Sequence, residues 1–237
     1  MKNKKEMRTF VIGDIHGAYL ALVQCLERSG FDIDIDQLIV LGDVVDGWPQ
    51  TRECIDTLLT IKNLIYVKGN HDVWFQEWDI SGIKETIWTR QGGAATISSY
   101  TSEHNSVYIP ESHLDLMVNA PYYYIDNKNR VFVHGGFDWH KPVEEETIDN
   151  LMWDRDLYFF MKRQHSSKSY KKYSLYDEIY IGHTQTNSLK PDMYCNLINM
   201  DTGAGWNGCV SIMNVDTKEY WSSDVATRLY DGNHRRY

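Results

Sequence analysis

One pattern, recurring along the chain, most narrows what it can fold into: a short run of apolar, mostly β-branched or aromatic residues, closed by a glycine-containing motif rich in Asp, Asn or His. The motifs are Gly13-Asp-Ile-His-Gly17, Gly42-Asp-Val-Val-Asp-Gly47, Gly69-Asn-His-Asp72, His134-Gly-Gly136 and Gly182-His-Thr184. In the first half, strands are predicted at Arg8–Ile12, Gln37–Leu41 and Leu64–Val67, with amphipathic helices over Ala18–Arg28 and Arg52–Ile61. Strand alternating with helix implies parallel βαβ units. Such units deliver whatever follows each strand to one edge of the sheet, where ligands bind.

Farther along, residues from about Val73 to Asn119 read as helical and lid-like. Tyr122–Ile125 and Val131–Val133 flank Asp126-Asn-Lys-Asn129, a hairpin turn composition. Short strands are expected at Glu178–Ile181, Asn196–Asn199, Gly208–Val215 and Glu219–Trp221, making the second half richer in antiparallel sheet. With 237 residues and no composition break, residues 1–237 read as a single domain. Cys25, Cys54, Cys195 and Cys209 form no C-x-x-C pair, and no run matches a signal h-region or a membrane span. Reduced thiols and a cytoplasmic location are expected. A net charge of −9 argues against stable nucleic-acid binding, which needs Lys and Arg to neutralise phosphates.

Asp14 and His16, two apart at the end of an extended segment, should point to one face and could share a cation; helix capping by Asp14 is the bland alternative. Asp43 holds the same post-strand position in the next unit, and its carboxylate can bridge two cations about 3.5–4 Å apart. Asp46 is better placed to orient an imidazole. Asn70 and His71 diverge, so one can ligate while the other faces substrate as a general acid. His134 and His183 each follow a strand beside glycine, whereas His104, His113, His140, His165 and His234 are read as surface or loop residues.

With these motifs in this order, the chain resembles the metallophosphoesterases, and within them the PPP-type serine/threonine phosphatases of the compact bacterial and phage lambda-like group. The match runs from Gly13 to about Gly208 and includes Gly92-Gly-Ala-Ala-Thr-Ile-Ser-Ser-Tyr100, Met152-Trp-Asp-Arg155 and Asp201-Thr-Gly-Ala204. The resemblance implies an α/β fold, a four-layer αββα sandwich of two mixed sheets flanked by helices. It implies two divalent metals, one held by Asp14, His16 and Asp43, the other by Asp43, Asn70, His134 and His183. His71 becomes the catalytic histidine, paired with Asp46, and Arg155 the phosphate-binding arginine. Manganese is the expected metal, although iron or zinc suits the same donors.

Two departures concern the phosphate grip. Gly47 stands where the family carries arginine, and Lys68 replaces another, a point charge in place of a bidentate fork. Lys68 is nonetheless expected to join Arg155 on the phosphoryl group. The expected reaction is in-line attack on phosphorus by a metal-bridging hydroxide, with a phosphorylated protein or small phosphoester as substrate. Oligomeric state is not readable, and a monomer suffices. A symmetrical dinucleoside tetraphosphatase is the alternative within this chemistry, with Trp48, Trp139 and Tyr158 as base-stacking candidates. A silent scaffold is the alternative outside it, and the full ligand set with His71 stands against that. Lys162–Lys172, the basic run, reads as a solvated loop that could recruit an acidic partner, and Asp231–Tyr237 as a frayed tail.

Overall fold

Strands β1 (Thr9–Ile12), β2 (Gln37–Val40) and β3 (Asn63–Tyr66) run parallel, with Val11 opposite Ile39 and Ile39 opposite Ile65. Helix α1 (Tyr19–Ser29) joins the first two strands and α2 (Thr51–Leu59) the next two. The first stops at Gly30, whose left-handed φ of 59° turns the chain so that the Phe31 N–H reaches back to the Leu26 carbonyl, while the Gly30 N–H donates to the Glu27 carbonyl. These boundaries lie within two residues of the sequence expectation.

This structure, a computed structural model, describes residues 6–167 and 172–230; the predicted tail Asp231–Tyr237, His234 and part of the basic run lie outside them. Beyond β3 the chain is helical, with α3 (Asn70–Ser81), α4 (Thr86–Trp88), a segment Thr89–Gly93 kinked at Gly92 (φ 113°), α5 (Ala94–Ser99) and α6 (Glu111–Asn119). The hairpin β4 (Tyr123–Ile125) and β5 (Arg130–Val133) follows, then α7 (Ile148–Trp153) and α8 (Asp156–Ser166). Strands β6 (Glu178–Ile181), β7 (Asp192–Tyr194), β8 (Leu197–Asn199), β9 (Ser211–Asn214) and β10 (Tyr220–Ser222) precede a last turn, α9 (Ala226–Leu229).

These strands make two mixed five-stranded sheets, ordered β10-β9-β1-β2-β3 and β4-β5-β6-β8-β7. Alternation along each strand sorts the core into layers. Phe10, Ile12, Leu38 and Val40 pack with the α1 and α2 residues Leu22, Cys25 and Ile55. Their neighbours Val11, Ile39 and Leu41 meet Phe132, Tyr180 and Ile198 from the other sheet. Val131, Val133, Ile179 and Ile181 in turn face Leu157 and Met161 of α8. The result is helix, sheet, sheet and helix, as expected. Phe132 and Tyr180 stack within the inter-sheet layer at 4.7 Å.

The second half is richer in antiparallel pairing, as expected, through β4–β5, β7–β8, β1–β9 and β9–β10. Strands β5, β6 and β8 nevertheless pair in parallel, and β7 has no counterpart in the sequence reading. Residues 162–166 are the last turns of α8 rather than loop, with the Lys162 ammonium over the Tyr158 and Tyr194 rings. The four cysteines are free thiols. Among the described residues no helix is long and apolar enough to cross a membrane.

Candidate metal centre

Because β1, β2, β3, β5, β6 and β8 all run parallel within their sheets, the loops that leave them gather at common edges. Asp14 and His16 follow β1, Asp43 and Asp46 follow β2, and Asn70 and His71 open α3 after β3. From the other sheet come His134 after β5, His183 after β6 and Asp201 after β8. Four of these adopt left-handed backbone, His16 (φ 52°), Asp43 (51°), Asp46 (70°) and His183 (61°). That conformation costs a side-chain-bearing residue about 1 kcal/mol or more. It also corrects the reading of Asp14 and His16: the turn at His16, pinned by Ile15 and His16 N–H groups on the Asp43 carbonyl, brings them together, not a continued strand.

Asp43 lies at the middle. Its Oδ2 is 3.3 Å from His134 Nε2 and 3.8 Å from His16 Nε2, while Asp14 Oδ2 is also 3.8 Å from His16 Nε2. His134 Nε2 is 3.0 Å from Asn70 Oδ1. Ligand atoms of His16, Asp43 and His71 lie within 4.8 Å of one another, as do those of Asp43, His134 and His183, so two donor groups share one carboxylate. On the far side of each ring, His16 Nδ1 meets the Val45 carbonyl (3.2 Å) and His134 Nδ1 the Leu41 carbonyl (2.7 Å). A proton held there leaves Nε2 as the ring's donor atom toward the cluster.

The cluster fits divalent cations. His183 Nε2 is buried without a hydrogen-bond partner, the environment of an atom awaiting a ligand-type contact. Burial, with His134 nearby, pushes His183 down to about 2, so its ring is neutral. Burial opposes charge on His134 too, but Asp43 and Asp14 outweigh it and raise that ring to about 10; a cation can take the proton's place. Burial and then Asp201 push Asp14 up, while Asp201 itself, buried, rises to about 6. Buried carboxylates this crowded favour added positive charge. The packing is tight as well: a Cβ on Gly205 would stand 2.5 Å from His16 Cδ2.

His71 is separately supported. Its Nδ1 lies 2.7 Å from Asp46 Oδ2, and its Nε2 faces Asp43 Oδ2 at 4.0 Å. Asp46 is fully buried, which pushes its carboxyl up against the hydrogen bond from His71. Trp88 Nε1 (2.8 Å) and Thr96 Oγ1 (2.7 Å) also donate to it. Asp72, likewise buried, accepts the N–H groups of Gly69 and Asp43 and so ties the second motif to the third.

A cavity of about 280 Å³ opens onto the cluster, with Arg155, Trp74, Trp153, Gln91 and Trp206 on its walls. Arg155 Nη1 donates to the His183 carbonyl at 3.0 Å. Lys68 does not reach this cavity. Its ammonium donates to the Val118 carbonyl at 3.3 Å and lies over the Tyr122 ring, so the expected grip on a phosphoryl group is withdrawn. Gly47 has a φ of 99°, which excludes an arginine there without rebuilding the turn.

The proposed base-stacking aromatics are also displaced. Trp48 is buried against Tyr230, Trp139 stacks on Phe160, and Tyr158 is buried with its hydroxyl on Asp192. His113 is no surface residue: it is buried between Tyr100 and Asp56. Asp201, Trp88 and Thr96 went unread as site residues. Asp201 has the shared signal of a carboxylate directly after a β-rich run.

Oxygen and nitrogen donors converging from two sheets, with a separate histidine dyad and an arginine at the mouth, define a metal-dependent hydrolase. The chain belongs to the calcineurin-like phosphoesterase family, whose model matches residues 7–197. Over 90% of its length it is 25% identical to a serine/threonine-protein phosphatase 1 from Salmonella typhimurium, covering 94% of that protein. Over 92% it is 23% identical to a symmetrical bis(5'-nucleosyl)-tetraphosphatase from Pseudomonas entomophila, again covering 94%. Among solved structures, a candidate diadenosine tetraphosphatase shares the fold with a TM-score of 0.69 at 16% identity, with 92% of this chain and 94% of that one covered.

Proposed function

We propose that this chain is a dinuclear phosphomonoesterase acting on phosphoserine or phosphothreonine in proteins, in the cytoplasm. The observation that carries the dinuclear reading is Asp43, shared between two donor groups. Asp14, His16 and Asp43 would hold one ion and Asp43, Asn70, His134 and His183 the other, with manganese our choice. Two such cations supply Lewis-acid polarisation of a phosphoryl oxygen and acidify an attacking water.

The remaining steps belong to the chain's own side chains. Arg155, with one nitrogen fixed on the His183 carbonyl, keeps further N–H donors for the phosphoryl oxygens. His71 protonates the departing seryl or threonyl oxygen from Nε2, while Asp46 holds the ring through Nδ1 and stabilises its charged form. The full-length likeness to a serine/threonine-protein phosphatase supports the protein substrate. Trp74, Trp153 and Trp206 around the cavity favour one second reading, a nucleotide whose base stacks there.

The test is a panel of phosphopeptide, p-nitrophenyl phosphate and dinucleoside tetraphosphate with manganese-reconstituted protein, with His71→Asn alongside. The phosphopeptide should be turned over with the higher kcat/KM. His71→Asn should lower kcat by about 100-fold or more with metal content intact. Preference for the dinucleotide would replace the substrate assignment, and near wild-type turnover of His71→Asn would remove His71 from the mechanism.

A further inference from the structure

Beside the metal cavity lies a second, more open trough lined by Thr86, Ile87, Arg90, Gln91 and Trp206. Gln91 and Trp206 line both, so the two are continuous across a shared ridge. The trough is mainly apolar: Ile87 is 59% and Trp206 50% exposed. Arg90 adds the positive charge. Among the described residues its guanidinium makes no ion pair or hydrogen bond, in a chain whose net charge is −9. Its platform is fixed, because the kinked segment Thr89–Gly93 that carries it receives the Gly47 N–H on the Gly92 carbonyl and packs Gly93 under the Trp88 ring.

We infer that this trough is a substrate subsite, in which a phosphopeptide chain leaving the metal cavity over Gln91 and Trp206 places an acidic side chain on Arg90 and an apolar one against Ile87. The inference rests on the phosphoprotein reading above. It adds selectivity for acidic, apolar sequence beside the phosphorylated residue. A guanidinium in a trough that also holds an indole suits a carboxylate approaching over apolar surface. A partly exposed ion pair of this kind supports a modest preference, about fivefold in kcat/KM.

The experiment compares phosphopeptides that differ only in carrying Asp or Lys at each position flanking the phosphorylated residue, using manganese-reconstituted wild type and Arg90→Glu. Wild type should favour the best-placed Asp peptide over its Lys counterpart about fivefold, and Arg90→Glu should reverse that order. Hydrolysis of p-nitrophenyl phosphate, which has no flanking chain, should be the same in both proteins. Indifference of wild type to the flanking charge, or an equal loss on every substrate in Arg90→Glu, would overturn the subsite and leave the phosphoprotein reading standing. Failure of wild type on all phosphopeptides, with p-nitrophenyl phosphate still hydrolysed, would overturn that reading and the subsite with it.

Discussion

Replacing Thr96 by valine isolates the support beneath the His71–Asp46 pair. The two side chains are nearly isosteric, so the change removes a hydroxyl without opening a cavity. That hydroxyl donates to Asp46 Oδ1 at 2.7 Å and accepts the Asp46 N–H at 2.8 Å, both in the interior. Losing a donor to a buried carboxylate costs about 1.5–3 kcal/mol, and orphaning a buried N–H about 1–3 kcal/mol. Thr96→Val should therefore lower unfolding stability by about 4 kcal/mol and Tm by roughly 10 °C for a chain of this size. Thr96→Ser keeps the hydroxyl and should lose about 1 kcal/mol with its methyl. Urea denaturation gives the stability difference, and steady-state kinetics on p-nitrophenyl phosphate give the functional one. A tilted Asp46 should cost Thr96→Val about tenfold in kcat with KM unchanged, while Thr96→Ser retains activity. Valine and serine variants that match within about 1 kcal/mol would refute the claim that this hydroxyl holds the carboxylate.

Two further substitutions probe other layers of the structure. Gly205→Ala should displace the His16 ring, since the new Cβ would stand 2.5 Å from it, lowering both bound metal and activity; metal analysis showing full content would remove His16 from the ligand set. Glu146 accepts from the Asp138 and Thr147 N–H groups, and although burial opposes its charge, these bonds hold it down to about 2, below its usual 4.5. A depressed carboxylate stabilises the fold above its unfolded pKa and loses that contribution as pH falls through the folded one. Glu146→Gln should thus be less stable by up to about 3 kcal/mol at pH 7, with the gap closing toward pH 2 in urea titrations across pH; a gap independent of pH would refute the assignment.

The parallel strands and their loops were legible because each combines a β-rich run with a glycine and a chemically marked residue, a local signal that the βα geometry preserves. The support residues were not. Trp88 and Thr96 reach Asp46 from 42 and 50 positions away, across a kink at Gly92 that periodicity does not announce. Lys68 misled for a related reason. Sequence placed it next to the third motif, but the extended backbone leading into α3 sends its side chain to Val118 and Tyr122. Aromatic residues sort by burial, which depends on contacts distant in sequence, so Trp48 and Trp206 could not be told apart beforehand.

The left-handed backbone at His16, Asp43, Asp46 and His183 also bears on how this chain can be engineered. Glycine or asparagine at His16 or His183 would relax the turn, a gain of about 1 kcal/mol at positions that the proposed chemistry needs unchanged, whereas at Asp46 the loss of the Trp88 and Thr96 hydrogen bonds would outweigh it. A library sorted for heat tolerance alone would drift toward robust, inactive molecules. Joint selection on turnover would hold these codons fixed and push improvement to the outer helices.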